Sequence, residues 1–186
     1  MIAVLFARAD SHYKAIPGCD VYDIERDART WPGGCAVVAH PPCRAWGLLR
    51  QFAKPRDGEK QLAIDAVGHV RAFGGVLEHP ARSSLWNHCA LPKPGEFADE
   101  FGGFSIEIDQ FHWGHKAQKR TWLYIVGADK IPSIPVRQGQ PTHVIKPMKN
   151  GTGAKICTKP EREHTPPQLA AWLVDLARQC RAEVFA

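Results

Sequence analysis

The sequence predicts an α/β fold of three layers around a mainly parallel sheet, with an antiparallel hairpin toward the C-terminal part. Three observations carry this. Short apolar runs such as Ile2–Phe6 and Cys35–Ala39 stop at polar or proline-containing turns, as buried strands do. A helical stripe over Glu59–Phe73 separates two such runs, so that strand, crossover helix and strand follow in order. Phe104–Phe111 alternates apolar and polar side chains, and a short link joins it to the β-rich Thr121–Val126. With 186 residues, the chain is expected to form one domain with its own core.

Each element has a local reason. Ile2–Phe6 reads as the first strand, and Asp20–Ile24 as a second after the turn Pro17-Gly18. The third strand, Cys35–Ala39, ends abruptly at His40-Pro41-Pro42. In the helix over Glu59–Phe73, Leu62, Ala66, Val70 and Phe73 share a stripe with Ala63 and Val67. Asp57 is placed to cap its start and Gly74 to close its end. Gly75–Glu78 is a fourth strand, with Pro80 expected to break it. Thr165-Pro166-Pro167-Gln168 has the form of a capping box opening a C-terminal helix over 166–181, which buries Leu169, Trp172, Leu173 and Leu176.

Composition narrows the function classes. No apolar run approaches the roughly 18 residues of a membrane helix, and the opening apolar run is too short for a secretory signal. The cysteines at 19, 35, 43, 89, 157 and 180 form no Cys-x-x-Cys pair, which suits reduced thiols and a cytoplasmic location. Charge is concentrated. Residues 137–162 carry six Lys or Arg against Glu161 alone, whereas the remainder balances at 18 basic and 18 acidic residues. That stretch is also rich in Gly and Pro, so 128–164 is expected to be an irregular basic segment. Lys146, Lys149 and Lys155 are its candidate phosphate contacts.

Three candidate chemical positions lie at strand ends, where open α/β sheets place their ligands. Pro42 and its neighbour Pro41 fix the turn that presents Cys43, and Arg44 offers the positive setting a thiolate needs. Glu78, followed by His79, is a carboxylate at the neighbouring strand end, suited to holding a proton or an amidine-like ring edge. Gln118 and Arg120 enter the strand Thr121–Val126 and could fix an anion or a base. His40, Cys43 and His79 also suggest a metal-site alternative, though the Pro-Cys-x-x-Cys run of zinc deaminases is absent. His112 and His115 in the hairpin link are expected at its surface or against nucleic acid.

In order, these motifs resemble those of the DNA cytosine-5 methyltransferases, in the manner of the small versions found in phages and prophages. Ala39-His40-Pro41-Pro42-Cys43 is similar to the Pro-Cys nucleophile turn, and Val76-Leu77-Glu78-His79-Pro80 to the Glu-Asn-Val motif. Gln118-Lys119-Arg120-Thr121-Trp122 is similar to the Gln-x-Arg-x-Arg strand, and Arg162–Gln168 to a segment near the family's end. The resemblance implies a Rossmann-like methyltransferase-type sheet over roughly residues 1–175. It further implies attack of Cys43 on C6 of cytosine, Glu78 on the N3/N4 edge, and Arg120 near the thiolate. Pro42, Arg44, His79 and Gln118 would contact the substrate. S-adenosylmethionine would be the methyl donor, with Phe6 and an acid, Asp23 or Glu25, at the ends of the first two strands. Departures are specific. The glycines that follow the family's first strand are replaced by Ala7-Arg8-Ala9-Asp10-Ser11, Trp122 replaces the second Arg, and His40 and His79 replace a Gly and an Asn. Residues 128–160 are too few for the usual target-recognition domain, so sequence specificity would be low or supplied by a protein partner. Two alternatives keep the residues and change the function. One is a non-catalytic nucleic-acid-binding protein on a degenerate fold of this type; the other is a pyrimidine-nucleotide-modifying enzyme.

Overall fold

The structure, a computed structural model, describes residues 1–145 and 153–181. In chain order its elements are β1 (Ile2–Leu5), β2 (Cys19–Tyr22), β3 (Val37–Ala39), α1 (Glu59–Phe73), β4 (Gly75–Pro80), α2 (Ser84–His88), β5 (Phe104–Asp109) and β6 (Arg120–Val126). There follow β7 (His143–Val144), β8 (Lys155–Ile156), α3 (Lys159–Glu163) and α4 (Pro167–Gln179). Six strands form one mixed sheet in the order β2-β1-β3-β4-β6-β5. Strands β1 to β4 are parallel, and β6 runs antiparallel between β4 and β5.

Alternation along each strand builds two cores. Ile2, Val4, Val38, Val76, Leu123 and Ile125 point to one face and pack on Leu169, Leu173 and Leu176 of α4. Ala3, Leu5, Val37, Ala39, Leu77 and Tyr124 point to the other and pack on Ala63, Ala66, Val67 and Val70 of α1. The result is the expected helix, sheet, helix layering. Gly75 is obligatory at the start of β4: at φ +126°, an added Cβ would lie 2.1 Å from the Val37 carbonyl oxygen.

Several boundaries differ from expectation, each for a local reason. β2 begins at Cys19 and ends at Tyr22, because the Asp23 carboxylate accepts the amides of Glu25 and Arg26 and turns the chain. Helix α1 starts after Gly58 at φ 73°, not under an Asp57 cap; Glu59 itself accepts the Arg56 amide. Pro80 does not break β4 but is its last residue, opposite Thr121, where the missing donor is tolerated. β5 stops at Asp109, whose carboxylate accepts the Phe111 amide and starts a 3₁₀ turn over Gln110–Trp113. The capping box lies at Thr158 and Glu161, opening α3. Thr165 makes no cap for α4, since Pro166 and Pro167 remove the amides that a cap would satisfy. Residues 128–142 are irregular, as expected of the basic segment.

The chain runs from β1 to β2 on one side of the sheet and then crosses to β3 on the other. In open α/β sheets such a reversal marks the crevice beyond the carboxyl ends of the diverging strands, here β1 and β3, where ligands bind.

Candidate functional site

The end of β3 delivers the thiol. Leu5 O accepts the His40 amide at 3.0 Å, which pins the end of β3 to β1. Beyond Pro41-Pro42, the Cys43 carbonyl accepts the amides of Trp46 at 3.0 Å and Gly47 at 2.8 Å, closing a turn with Cys43 exposed. Buried Trp46 braces this turn, and its carbonyl accepts the amide and hydroxyl of Ser84, both at 3.0 Å. Arg44 does not provide the expected positive setting. Its guanidinium is bound to the Glu59 carboxylate, with Nε at 2.8 Å from Oε1.

Beside the thiol, the end of β4 delivers Glu78 into a connected polar network. Glu78 Oε2 lies 2.9 Å from His40 Nδ1, and Glu78 Oε1 accepts from Gln110 Nε2 at 3.0 Å. Gln110 Nε2 also donates to Thr121 Oγ1 at 3.0 Å, and the Tyr13 hydroxyl lies 2.8 Å from His40 Nε2. Burial alone would push the Glu78 carboxyl up. The His40 hydrogen bond and the nearby Lys119, His40 and His79 together reverse this and bring it down to about 2. Although Cys43 is exposed to solvent, the protein packed around its turn desolvates the sulfur and, with the Glu78 charge, pushes the thiol up, while Lys119 opposes that rise. The resting thiol is therefore protonated.

β6 places its residues by parity. Thr121 and Leu123 share the face of Glu78, and Lys119, two residues before Thr121, joins that set. Its half-buried ammonium bears on both Glu78 and Cys43 and meets no partner among the described residues. Arg120 turns the other way, where Nε binds Glu107 Oε1 at 2.6 Å. Gln118 is exposed and, with Arg120, Glu107 and His112, lines a separate groove along the β5–β6 edge. The cation that faces the thiol is thus Lys119, the position between the two residues singled out from the sequence. Its strand parity was the available signal.

His79 is fully buried on the α1 face beside Trp86, and among the described residues neither ring nitrogen makes a hydrogen bond of normal geometry, the Pro42 backbone being near it. Burial takes its imidazole down to about 4. It faces away from Glu78 and does not line the crevice. His40, Cys43 and His79 accordingly do not converge, and among the described residues no group of three His, Cys, Asp or Glu side chains is placed to hold a metal. His115 is buried, against expectation, between the Ala117 amide and the Glu161 carbonyl.

No family model, curated protein or solved structure matches the chain. The site is therefore read from its own chemistry.

At the neighbouring mouth of β1 and β2, the residues expected to hold a methyl donor divide. Phe6, at φ 62°, lines an open cavity of about 330 Å³ with Ala28, Arg29, Asp65, Gly68 and His69. That volume is within the range of small-molecule sites and suits an aromatic ring system. Asp23 is committed elsewhere: Oδ2 lies 2.6 Å from Lys14 Nζ, and Oδ1 accepts two backbone amides. Glu25 is exposed. Of the basic candidates, Lys155 is exposed on β8, whereas Lys146 and Lys149 lie outside the described residues.

Proposed function

We propose that the protein is a DNA cytosine-5 methyltransferase-like enzyme on a Rossmann-like, methyltransferase-type fold, with Cys43 as the nucleophile. The observation that carries this reading is the juxtaposition at one end of the sheet of an exposed thiol, a largely buried ionised carboxylate and an ammonium with no ion pair among the described residues: Cys43, Glu78 and Lys119. The strand order, with one antiparallel strand in an otherwise parallel sheet, supports the fold part of the reading.

The residues divide the first step among them. The Cys43 thiol gives up its proton as sulfur bonds to C6 of the base. The C5–C6 π pair moves to C4–C5, and the C4–N3 π pair moves to N3, which takes up a proton. Glu78, ionised, accepts the N3–H that this shift produces together with the existing exocyclic N–H, so it favours the adduct over the free base. Lys119 steadies the departing sulfur charge before the bond forms. C5 is left electron-rich. A sulfonium donor such as S-adenosylmethionine would supply an electrophilic methyl group, with Phe6 against its ring system; Asp23 does not fit the ribose role. Loss of the C5 proton and breakage of the C6–S bond would then return Cys43.

A base inside a duplex must leave the stack to reach this crevice. The chain directly after Cys43 supports DNA as the substrate. Leu48, Leu49 and Phe52 are exposed there, interleaved with Arg50, Lys54 and Arg56. Apolar wedges flanked by cations suit a strand that is being unstacked and neutralised. A second reading, a nucleic-acid-binding protein without turnover, is favoured by one observation: Asp23 is already neutralised by Lys14.

The test is nucleoside mass spectrometry of DNA from a methylation-free bacterial host expressing wild type or Cys43→Ala. A new cytosine adduct confined to wild type is expected, and its mass identifies the group transferred. Unmodified DNA in both, with salt-dependent DNA binding retained, would replace this reading with the binding one.

A further inference from the structure

The network at Glu78 contains two residues that the addition chemistry leaves unused, and their geometry assigns its protons. Glu78 as a carboxylate can only accept, so the 2.9 Å contact to His40 Nδ1 requires an Nδ1–H. In a neutral ring Nε2 then carries the lone pair, and the Tyr13 hydroxyl, 2.8 Å away, donates to it. Tyr13 is 1% exposed, and its burial pushes the phenol well above its ordinary range, so the O–H is retained. The rings of Tyr13 and His40 also touch, at 5.3 Å between centroids. On the opposite side Gln110 holds Oε1 and is itself fixed by Thr121. The carboxylate is thus held on both oxygens, by His40 and Gln110, which are backed by Tyr13 and Thr121 from two further stretches of chain, and each of its oxygens keeps a second lone pair for a ligand.

We propose that Tyr13 and His40 are positioning residues for Glu78: a fixed chain from phenol to imidazole to carboxylate that keeps the acid ionised and aimed into the crevice. They act through Glu78 and do not touch the base. The role rests on the reading of Glu78 as the group that receives the base edge. It also explains why a histidine stands before the two prolines. The Pro41-Pro42 turn needs a rigid start, and a side chain anchored to Glu78 couples the thiol turn to the acid, so both reacting groups share one frame.

The experiment combines a spectroscopic readout with kinetics. In ¹⁵N-histidine NMR of the wild-type protein, His40 is expected to hold a fixed proton on Nδ1, and Glu78→Gln is expected to release it to a mixture of tautomers. In DNA modification assays, His40→Ala is expected to lower kcat by roughly tenfold to a hundredfold with KM for DNA within about twofold. His40→Asn, which keeps an N–H donor, should recover part of the loss, and Tyr13→Phe should lose about threefold to tenfold. If His40→Ala does not fold, Tyr13→Phe and the wild-type spectrum decide. An Nε2–H or mixed tautomer in an active wild-type enzyme overturns the positioning role and leaves the reading of Cys43 and Glu78 intact. So does full activity in both His40 variants. A locked tautomer in a protein that modifies no base upholds the grip on Glu78 and removes the addition chemistry instead.

Discussion

The two mouths of the sheet each carry a buried-edge carboxylate, and they treat it in opposite ways. Asp23, beyond β2, meets a lysine ammonium and two amides of its own turn; its charge is cancelled and its oxygens are spent on chain geometry. Glu78, inside β4 opposite Leu123, meets an imidazole N–H and a carboxamide and binds no lysine or arginine directly among the described residues. Both acids are brought to about 2, Asp23 chiefly by its hydrogen bond to Lys14 and Glu78 by donors that outweigh burial. The same downward shift therefore marks a structural acid at one mouth and, in the proposed reading, a working acid at the other. What separates them is whether negative charge remains for a ligand.

That contrast is most sharply broken by substitution of the acids themselves. Glu78→Gln is expected to reduce cytosine modification by at least about 100-fold, while Asp23→Asn changes the rate of the chemical step by less than about threefold at saturating donor. Single-turnover assays on a hemimodified duplex measure both. An equal loss in the two variants would erase the distinction.

A comparably large effect is expected on stability, from the histidine next to Glu78. The buried imidazole of His79 titrates near 4 when folded, against about 6.5 when unfolded. Its neutral form is the one the fold accommodates, so stability is full above pH 6.5 and falls as pH drops toward 4. Between pH 7.5 and 4.5 wild type should lose about 2 to 3 kcal/mol more than His79→Leu, read from urea midpoints. Parallel pH curves would place the cost elsewhere.

The cation comes next. Lys119→Met should slow iodoacetamide alkylation of Cys43 at pH 8 by roughly threefold to tenfold, because the thiolate loses the cation that acts on it among the described residues. Arg120→Met, whose guanidinium faces Glu107, should change that rate by less than about twofold. The reverse order would reassign the strand's parity. The smallest effect is expected at the spent acid: Asp23→Asn should cost about 1 kcal/mol through its weakened turn, measured by thermal melting, with Cys43 alkylation unchanged.

Legibility in the sequence follows the range over which each feature is decided. The strands, α1 and α4 were readable because burial imposes a period of two or 3.6 on neighbouring residues, and Val37–Ala39 or Glu59–Phe73 carry that period locally. Cys43 and Glu78 were readable because each comes after an apolar run and lies within two residues of a proline. The rest of the site was not. Tyr13 to His40, His40 to Glu78 and Glu78 to Gln110 are contacts across 27, 38 and 32 residues, and no local pattern marks either partner. Arg120 illustrates the opposite error. A motif match aligned it with a functional cation, yet alternation along β6 sends it to Glu107 and gives the crevice to Lys119. Thr165 is similar: the capping pattern was present, but two prolines left it nothing to cap.

The position of β6 has a further consequence for a chain still being made. β5 is synthesised first, but in the finished sheet its only strand partner is β6, and β6 also seats Thr121 beneath Gln110. A growing polypeptide on the ribosome carries Cys43 and Glu78 well before the strand that lets Gln110 close on the carboxylate. Until residues 120–126 emerge and insert between β4 and β5, the thiol stands next to an acid gripped from one side only. Unfinished and truncated chains should therefore be poor reagents toward bases, so that competence arrives late in synthesis and in one step.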